Sequence, residues 1–174
     1  MNDKLPSREQ ALNLLIENGC SNDVIIHCKK VAELAAETAE TVKKKGLTVD
    51  SRLVEVGALL HDIGRSKTHS VNHAVEGMKL AQAESLPDAV ICIIKRHVGA
   101  GITAEEAEWL GWPKDNYVPQ SLEEKIVCYA DKCIGSDTRI PVEATIKQLH
   151  EQKLDDAAER VRKLHIEITH YLEA

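Results

Sequence analysis

Aromatic side chains and clustered positive charge are both scarce in this sequence. Phenylalanine is absent from the 174 residues, and aromatic residues make up only 3%. The core must therefore be filled by leucine, isoleucine, valine and alanine, and no row of aromatic rings is available for stacking bases. Lysine and arginine number 22 against 28 acidic residues, which gives a net charge of −6 without any basic block. Because nucleic-acid binding draws on clustered cations, nucleic acid is not an expected partner.

Long apolar runs are also missing. No run approaches the roughly 18 apolar residues that a membrane-spanning helix needs. Residues 1–10 are polar and lack the apolar centre of a secretory signal, so we expect a cytoplasmic protein without membrane contact. The composition, 43% apolar and 29% charged, is that of a soluble globular protein. Residues 1–174 are therefore expected to form a single domain.

Helical periodicity runs through almost the whole chain. Apolar residues recur at intervals of three and four, and no segment alternates as a strand would, so the expected fold class is all-α. Residues 99–120 are the exception, because the five glycines and prolines there predict a long, largely irregular segment that leaves the helical bundle, called the excursion below. We expect it to form a lid that sets specificity near Trp109, Trp112 and Tyr117. Start and stop signals predict helices that open at Ser7 and near Ser21, run from Asp50 to Gly64, cover 72–84, 87–97 and 121–133, and continue from Pro141.

Histidines and aspartates interrupt the apolar stripes of five predicted helices. One buried histidine is usually a core residue hydrogen-bonded to a carbonyl. A buried carboxylate without a partner, however, costs several kcal/mol, which is of the order of the whole stability of a domain. A shared divalent cation would satisfy both kinds of side chain at once. The candidate ligands are His27, His61, Asp62, His73, His97 and Asp131.

Two of these interruptions carry a family resemblance. The segment His61-Asp62-Ile63-Gly64-Arg65 resembles the HDIG submotif of the HD superfamily of metal-dependent phosphohydrolases. The segment Tyr129-Ala130-Asp131-Lys132 resembles the usual context of the closing aspartate of that family. The resemblance covers about residues 21–137, and the C-terminal helices at about 141–173 lie outside it. It implies a single helical HD-domain bundle with a metal site in its core.

The resemblance also implies how the ligands divide between two ions. His27, His61, Asp62 and Asp131 would hold one metal, while His73 and His97, with Asp62 bridging, would hold a second. This is the arrangement of binuclear members such as the HD-GYP phosphodiesterases and some diadenosine tetraphosphate hydrolases.

The sequence departs from the HD-GYP pattern at two positions and in one segment. Many HD-GYP domains have lysine where Arg65 stands and a second histidine where Val98 stands, and the Gly-Tyr-Pro segment is missing here. Hydrolysis of cyclic dinucleotides is therefore not the expected reaction.

The chemistry of these ligand types favours hydrolysis of a phosphate ester. Mixed imidazole and carboxylate ligands suit Mn, Fe, Co, Ni or Zn better than Ca or a lone Mg. Two such ions bridged by Asp62 would activate a water for attack on phosphorus. Arg65 and Lys67 are expected to hold the nonreacting phosphate oxygens, and His69 is either a leaving-group acid or a solvated loop residue.

The predicted function is a metal-dependent phosphomonoesterase or phosphodiesterase that acts on a nucleotide-like small molecule. Two alternatives stay open. One is a metal-containing regulatory module that binds a nucleotide without turning it over. The other is a di-iron oxygenase, since some HD relatives insert oxygen.

Overall fold

The computed structural model describes residues 4–173, and within them the fold is all-α, as the sequence predicts. Short 3-10 turns follow two of the helices, at Ile63–Ser66 and Val98–Ala100. Extended structure in the described part of the chain is limited to two isolated β-bridges. The α-helices are α1 (Arg8–Glu17), α2 (Asn22–Lys44), α3 (Ser51–Leu60), α4 (His73–Ala83), α5 (Asp88–Arg96), α6 (Ala104–Trp109), α7 (Leu122–Lys132), α8 (Val142–Glu151) and α9 (Asp155–Glu173).

Helix α3 lies at the centre and contacts α1, α2, α5 and α7. Its sequence is apolar nearly all round, and most of its side chains from Val54 to Leu60 are fully buried. Gly57 allows the close approach of α5, because a Cβ atom added there would overlap the Ile93 side chain. The most buried helix of the chain therefore ends next to the polar residues His61 and Asp62. No helix in the described part of the chain is long and apolar enough to cross a membrane.

The prediction that the third helix runs to Gly64 is wrong. Helix α3 ends at Leu60, and a 3-10 turn covers Ile63–Ser66. The cause is tertiary contact, because a Cβ atom added to Gly64 would overlap the carbonyl oxygen of His73 at the start of α4. Only a glycine lets the turn approach α4 this closely, and the approach brings His73 to the end of α3.

The predicted excursion at residues 99–120 packs onto the helices. Tyr117 and Trp112 are only 1% and 8% exposed, and their rings meet edge to face at 4.9 Å. Arg96 at the end of α5 joins this segment to α7. Its Nε donates to the Asn116 carbonyl at 3.0 Å, and its Nη1 donates to the Glu124 carboxylate at 3.0 Å. The segment therefore forms a fixed part of the domain wall instead of the expected lid.

Candidate metal centre

All six predicted ligands meet in the interior. His27 lies on α2 and Asp131 on α7, while the other four stand at helix ends. The helix ends are close together because α5 packs on both α3 and α4. His61, Asp62, His73 and His97 are each at most 4% exposed. The fold thus gathers six side chains that the sequence spreads over more than a hundred positions.

Each of the four imidazoles has its Nδ1 atom against a backbone carbonyl. In three of them the carbonyl belongs to the residue three positions earlier, at 2.7 Å. His27 Nδ1 lies 2.9 Å from the Gly135 oxygen. A carbonyl can only accept, so Nδ1 carries the hydrogen and Nε2 of a neutral ring keeps a lone pair. This is the tautomer that ligates a metal through Nε2.

The two carboxylates divide the cluster into two overlapping halves. Asp62 Oδ1 is 3.2 Å from the Nε2 atoms of both His73 and His97. Its other oxygen, Oδ2, is 3.6 Å from His61 Nε2 and 3.9 Å from His27 Nε2. Asp131 Oδ1 lies 3.0 Å from His27 Nε2 and 3.3 Å from His61 Nε2. Asp62 therefore stands between the two pairs of imidazoles.

Buried polar atoms without a hydrogen-bond partner indicate that a cation fits here. His61 Nε2 and Asp62 Oδ1 are both buried and both unpartnered among the described residues. For a neutral ring with its hydrogen on Nδ1, these contacts at 3.2 to 3.6 Å join acceptor to acceptor, and they become favourable only when the ring is protonated or a cation lies between the two atoms. An unsatisfied buried group is costly, and a divalent ion would satisfy several of these atoms together. Two groups have ligand atoms within 4.8 Å of one another: His27, His61 and Asp131, and His61, Asp62 and His97.

The pKa shifts of His97 and of both aspartates favour the protonation states that a metal needs, whereas the pKa of His27 is raised because its contact with Asp131 outweighs the effect of burial. Burial lowers the pKa of His97 to about 4, so this ring is neutral at pH 7. Burial alone would raise the pKa of Asp62, but His61, His73 and His97 hold it well below its usual value. Burial opposes ionisation of Asp131 in the same way, and the Lys132 charge keeps its pKa well below the usual value. Both carboxylates are therefore charged.

Of the two predicted phosphate-binding cations, the structure brings Arg65 to the cluster. Its Nε donates to Asp62 Oδ2 at 2.7 Å, and Nη1 donates to the His69 carbonyl at 3.3 Å. Lys67 is exposed and lines neither of the two cavities beside the cluster. His69 is exposed and lines the larger one.

Sequence reasoning missed Lys132 as a site residue. Its ammonium lies 2.5 Å from Asp131 Oδ2 and 3.0 Å from the carbonyl oxygen of His97. Its side chain is 11% exposed and lines both cavities. The available signal was a basic residue directly after a predicted ligand and four positions after the buried Cys128, which places it near the apolar stripe of α7.

Two cavities of about 690 and 300 Å³ adjoin the cluster. They share Arg65, Asp131 and Lys132, and α8 adds Thr145 and Gln148 to both walls. Residues 103–120, including Trp109, Trp112 and Tyr117, line neither cavity, whereas Gly99 at the start of the same segment lines the smaller one. Helix α8, and not this segment, supplies the uncharged polar residues Thr145 and Gln148 that line both cavities.

A family model described as HD domain matches residues 24–135. The chain belongs to the HD domain family. The matched range contains all six candidate ligands together with Lys132, and it ends before α8. The HD domain of the Listeria monocytogenes phosphodiesterase PgpH, solved in complex with cyclic-di-AMP, has the same fold, with a TM-score of 0.57 at 17% identity. The match covers 88% of this chain and 92% of that one.

Several relatives share more of the sequence. An uncharacterized protein of Methanocaldococcus jannaschii is 42% identical over 166 residues, which cover 94% of this chain and 98% of that protein. The tRNA (cytidine(56)-2'-O)-methyltransferase of Thermoplasma volcanium is 42% identical over 161 residues, or 92% of this chain and 46% of that protein. Ribonuclease Y of Aquifex aeolicus is 31% identical over 148 residues, or 82% of this chain and 22% of that protein. The chain thus spans about half the length of the methyltransferases it matches.

Proposed function

We propose that this protein is a metal-dependent phosphohydrolase that acts on a nucleotide-like small molecule. The observation that carries the proposal is the convergence of four imidazole Nε2 atoms, each on a ring whose Nδ1 faces a backbone carbonyl, and two ionised carboxylates in one cluster. Membership of the HD domain family supports the same class of chemistry. The fold shared with PgpH, which is described as a phosphodiesterase, is consistent with it.

The proposed ligands fall into two sets that share Asp62. His27, His61, Asp62 and Asp131 would hold one ion, and His73, His97 and Asp62 would hold the second. The donor types suit Mn, Fe, Co, Ni or Zn. Divalent ions bound there would supply a water of lowered pKa and positive charge for the phosphate oxygens.

Arg65 is proposed to act on both the site and the substrate. Its Nε fixes Asp62 Oδ2 at 2.7 Å, which orients Oδ1 towards His73 and His97. The guanidinium is 30% exposed and lines both cavities, so its outer nitrogens are available to the phosphate. His69 lines the larger cavity, where its imidazole is available to protonate the leaving oxygen.

The larger cavity supports a substrate about the size of one nucleotide. Its volume of about 690 Å³ lies within the range of small-ligand sites. Val24, Ile134 and Ile140 form an apolar part of its wall, and Thr145 and Gln148 add uncharged polar groups. A nucleoside combines an apolar ring face with a hydrogen-bonding edge, which matches such a wall.

Turnover by the metal-loaded protein tests the proposal. Protein loaded with Mn, Co or Fe(II) is incubated with aryl phosphates, nucleoside monophosphates, cyclic nucleotides and dinucleoside polyphosphates, with Asp62→Ala as control. We expect release of phosphate or a nucleotide by the wild type and none by the variant. No product from any compound would contradict the proposal. Tight nucleotide binding at full metal occupancy, with no product over hours, would identify the regulatory module. Oxygen uptake with a polyol or phosphonate would identify the oxygenase.

A substrate derived from RNA is the second candidate. The observation that favours it is that two groups of relatives are named a tRNA methyltransferase and a ribonuclease. The net charge of −6 favours a small fragment over a folded RNA. Comparison of kcat/KM between a mononucleotide and a short oligonucleotide ending in the same phosphorylated residue separates the two. A higher value for the oligonucleotide would establish the RNA end as the substrate.

A further inference from the structure

Lys132 stands at the junction of the two ligand sets. Its ammonium contacts the carboxylate of Asp131 at 2.5 Å and the backbone carbonyl of His97 at 3.0 Å. The residue lies at the C-terminal end of α7, and Thr145 Oγ1 on α8 donates to its carbonyl oxygen at 2.7 Å. The lysine is therefore held at both its backbone and its side chain.

The ammonium has donor capacity left for a ligand. A lysine ammonium carries three N–H donors, and the described contacts of Lys132 use two of them, on Asp131 and His97. The Lys132 side chain lines both cavities, so the ammonium that carries the third N–H lies on the wall of the site. A buried cation with an unused donor is suited to bind an anion.

The pairing of charges around the carboxylates indicates where an anion would lie. Asp62 presents Oδ1 to imidazoles and receives Arg65 Nε at Oδ2. Asp131 presents Oδ1 to imidazoles and receives Lys132 Nζ at Oδ2. Both cations line the same two cavities, and an anion there would meet a guanidinium and an ammonium together.

We propose that Lys132 is a phosphate-binding residue of the active site and takes the role that the sequence assigned to Lys67. This inference rests on the proposed function, because the anion is the phosphate group of the substrate. Lys67 is exposed and lines neither cavity. The lysine that meets the phosphate is therefore the one on α7, whose ammonium also contacts Asp131.

Binding of inorganic phosphate to the metal-loaded protein tests the inference without turnover. Wild type, Lys132→Met, Lys132→Gln and the control Lys67→Met are loaded with Mn, analysed for metal, and titrated with phosphate by calorimetry. We expect unchanged metal content in all four proteins. The phosphate Kd should rise about tenfold to a hundredfold in Lys132→Met, which is the effect of one lost charge-assisted hydrogen bond. Lys132→Gln, which keeps a neutral donor, should show a smaller rise, and Lys67→Met should match the wild type.

Three outcomes would overturn the inference. The first is a wild type that binds no phosphate, and the second is an unchanged Kd in both Lys132 variants. The third is loss of metal from these variants, or loss of their helical circular dichroism, which would make Lys132 a structural support of Asp131. If phosphate binding depends on Lys132 but the wild type hydrolyses nothing, the proposed function fails and the inference stands.

Discussion

The Nε2 atoms of His73 and His97 lie 3.0 Å apart, while each ring has its Nδ1 atom 2.7 Å from a backbone carbonyl. Two neutral rings in this arrangement point lone pairs at each other. Only a proton or a cation between them removes the repulsion. Asp62 Oδ1 lies 3.2 Å from both Nε2 atoms, so three atoms with lone pairs face one another and could bind the same cation.

We expect two metal equivalents per chain, with Asp62 shared between them. His73→Ala or His97→Ala should each remove about one equivalent and most activity, because both lie on the same side of Asp62. Asp62→Ala should empty both positions and destabilise the fold, since the remaining ligands lose their cation. Elemental analysis of purified protein measures this, with His150→Ala on the exposed surface of α8 as control. One equivalent in every active preparation, unchanged by loss of His73 or His97, would indicate a mononuclear site.

Arg65→Ala should reduce turnover about tenfold to a hundredfold while metal content stays nearly intact. The reason is that the lost contact with the phosphate is a charge-assisted hydrogen bond, whereas the ions are held by other side chains. Steady-state kinetics and elemental analysis on the same preparation check both parts. Simultaneous loss of metal and activity would show that the 2.7 Å contact of Arg65 Nε with Asp62 is needed to keep this carboxylate in place.

The metal-free protein should lose stability as the pH falls from about 6.5 to about 4. Because the folded pKa of His97 is about 4, the unfolded chain binds a proton in this window that the folded protein does not bind. The loss should reach about 3 kcal/mol at pH 4. His27 acts in the opposite direction: burial tends to lower its pKa, but the contact with Asp131 raises it overall. Its contribution is complete below pH 6.5 and is lost as the pH rises through its folded pKa.

Urea unfolding of chelator-treated protein across this pH range measures the effect. The control is His97→Asn, which removes the titrating ring, so its profile should be flatter between pH 6.5 and 4. An equal slope in the variant and the wild type would assign the acid sensitivity to other groups.

Gln148→Leu should raise the KM for a nucleotide substrate several-fold and leave hydrolysis of a small aryl phosphate unchanged. Its amide lines both cavities, so the variant removes a hydrogen-bonding group from the wall that would contact the nucleoside. The matched control is Gln120→Leu, since Gln120 is exposed and lies outside both cavities. An equal rise in KM for both substrates would mean that Gln148 supports the site without contacting the nucleoside.

The clustering of the six candidate ligands could be predicted from the sequence because each interrupts a local pattern. His27 and Asp131 occupy apolar positions of amphipathic helices, and His61 and Asp62 follow the most apolar helix of the chain. Lys132 gives only a weak signal, because its place four positions after the buried Cys128 is near the apolar stripe of α7 but a lysine at the end of a helix is common. Its contact with the His97 carbonyl joins residues 35 positions apart in sequence, which periodicity cannot predict.

Contacts between distant segments also explain why the predictions for the end of the third helix and for residues 99–120 differ from the structure. Helix α3 ends before Gly64, which lies in the 3-10 turn that packs against α4, and the helical periodicity of the sequence does not indicate this contact. Residues 99–120 have the glycines and prolines of a mobile loop, yet Trp112 and Tyr117 anchor them in the core. Periodicity predicts which face of a helix is buried, but it does not predict which partner covers it.

Helix α8 contributes to the wall of the site although it begins after residue 135, where the family match ends. On the proposed function, part of the wall that would contact the substrate is therefore encoded after the stretch that carries the candidate metal ligands. Relatives can share every metal ligand and still process different molecules if their sequences diverge after this boundary. Thr145 and Gln148 lie after this boundary and line both cavities. Exchange of the segment that contains them between two such relatives should therefore transfer substrate preference without altering the metals.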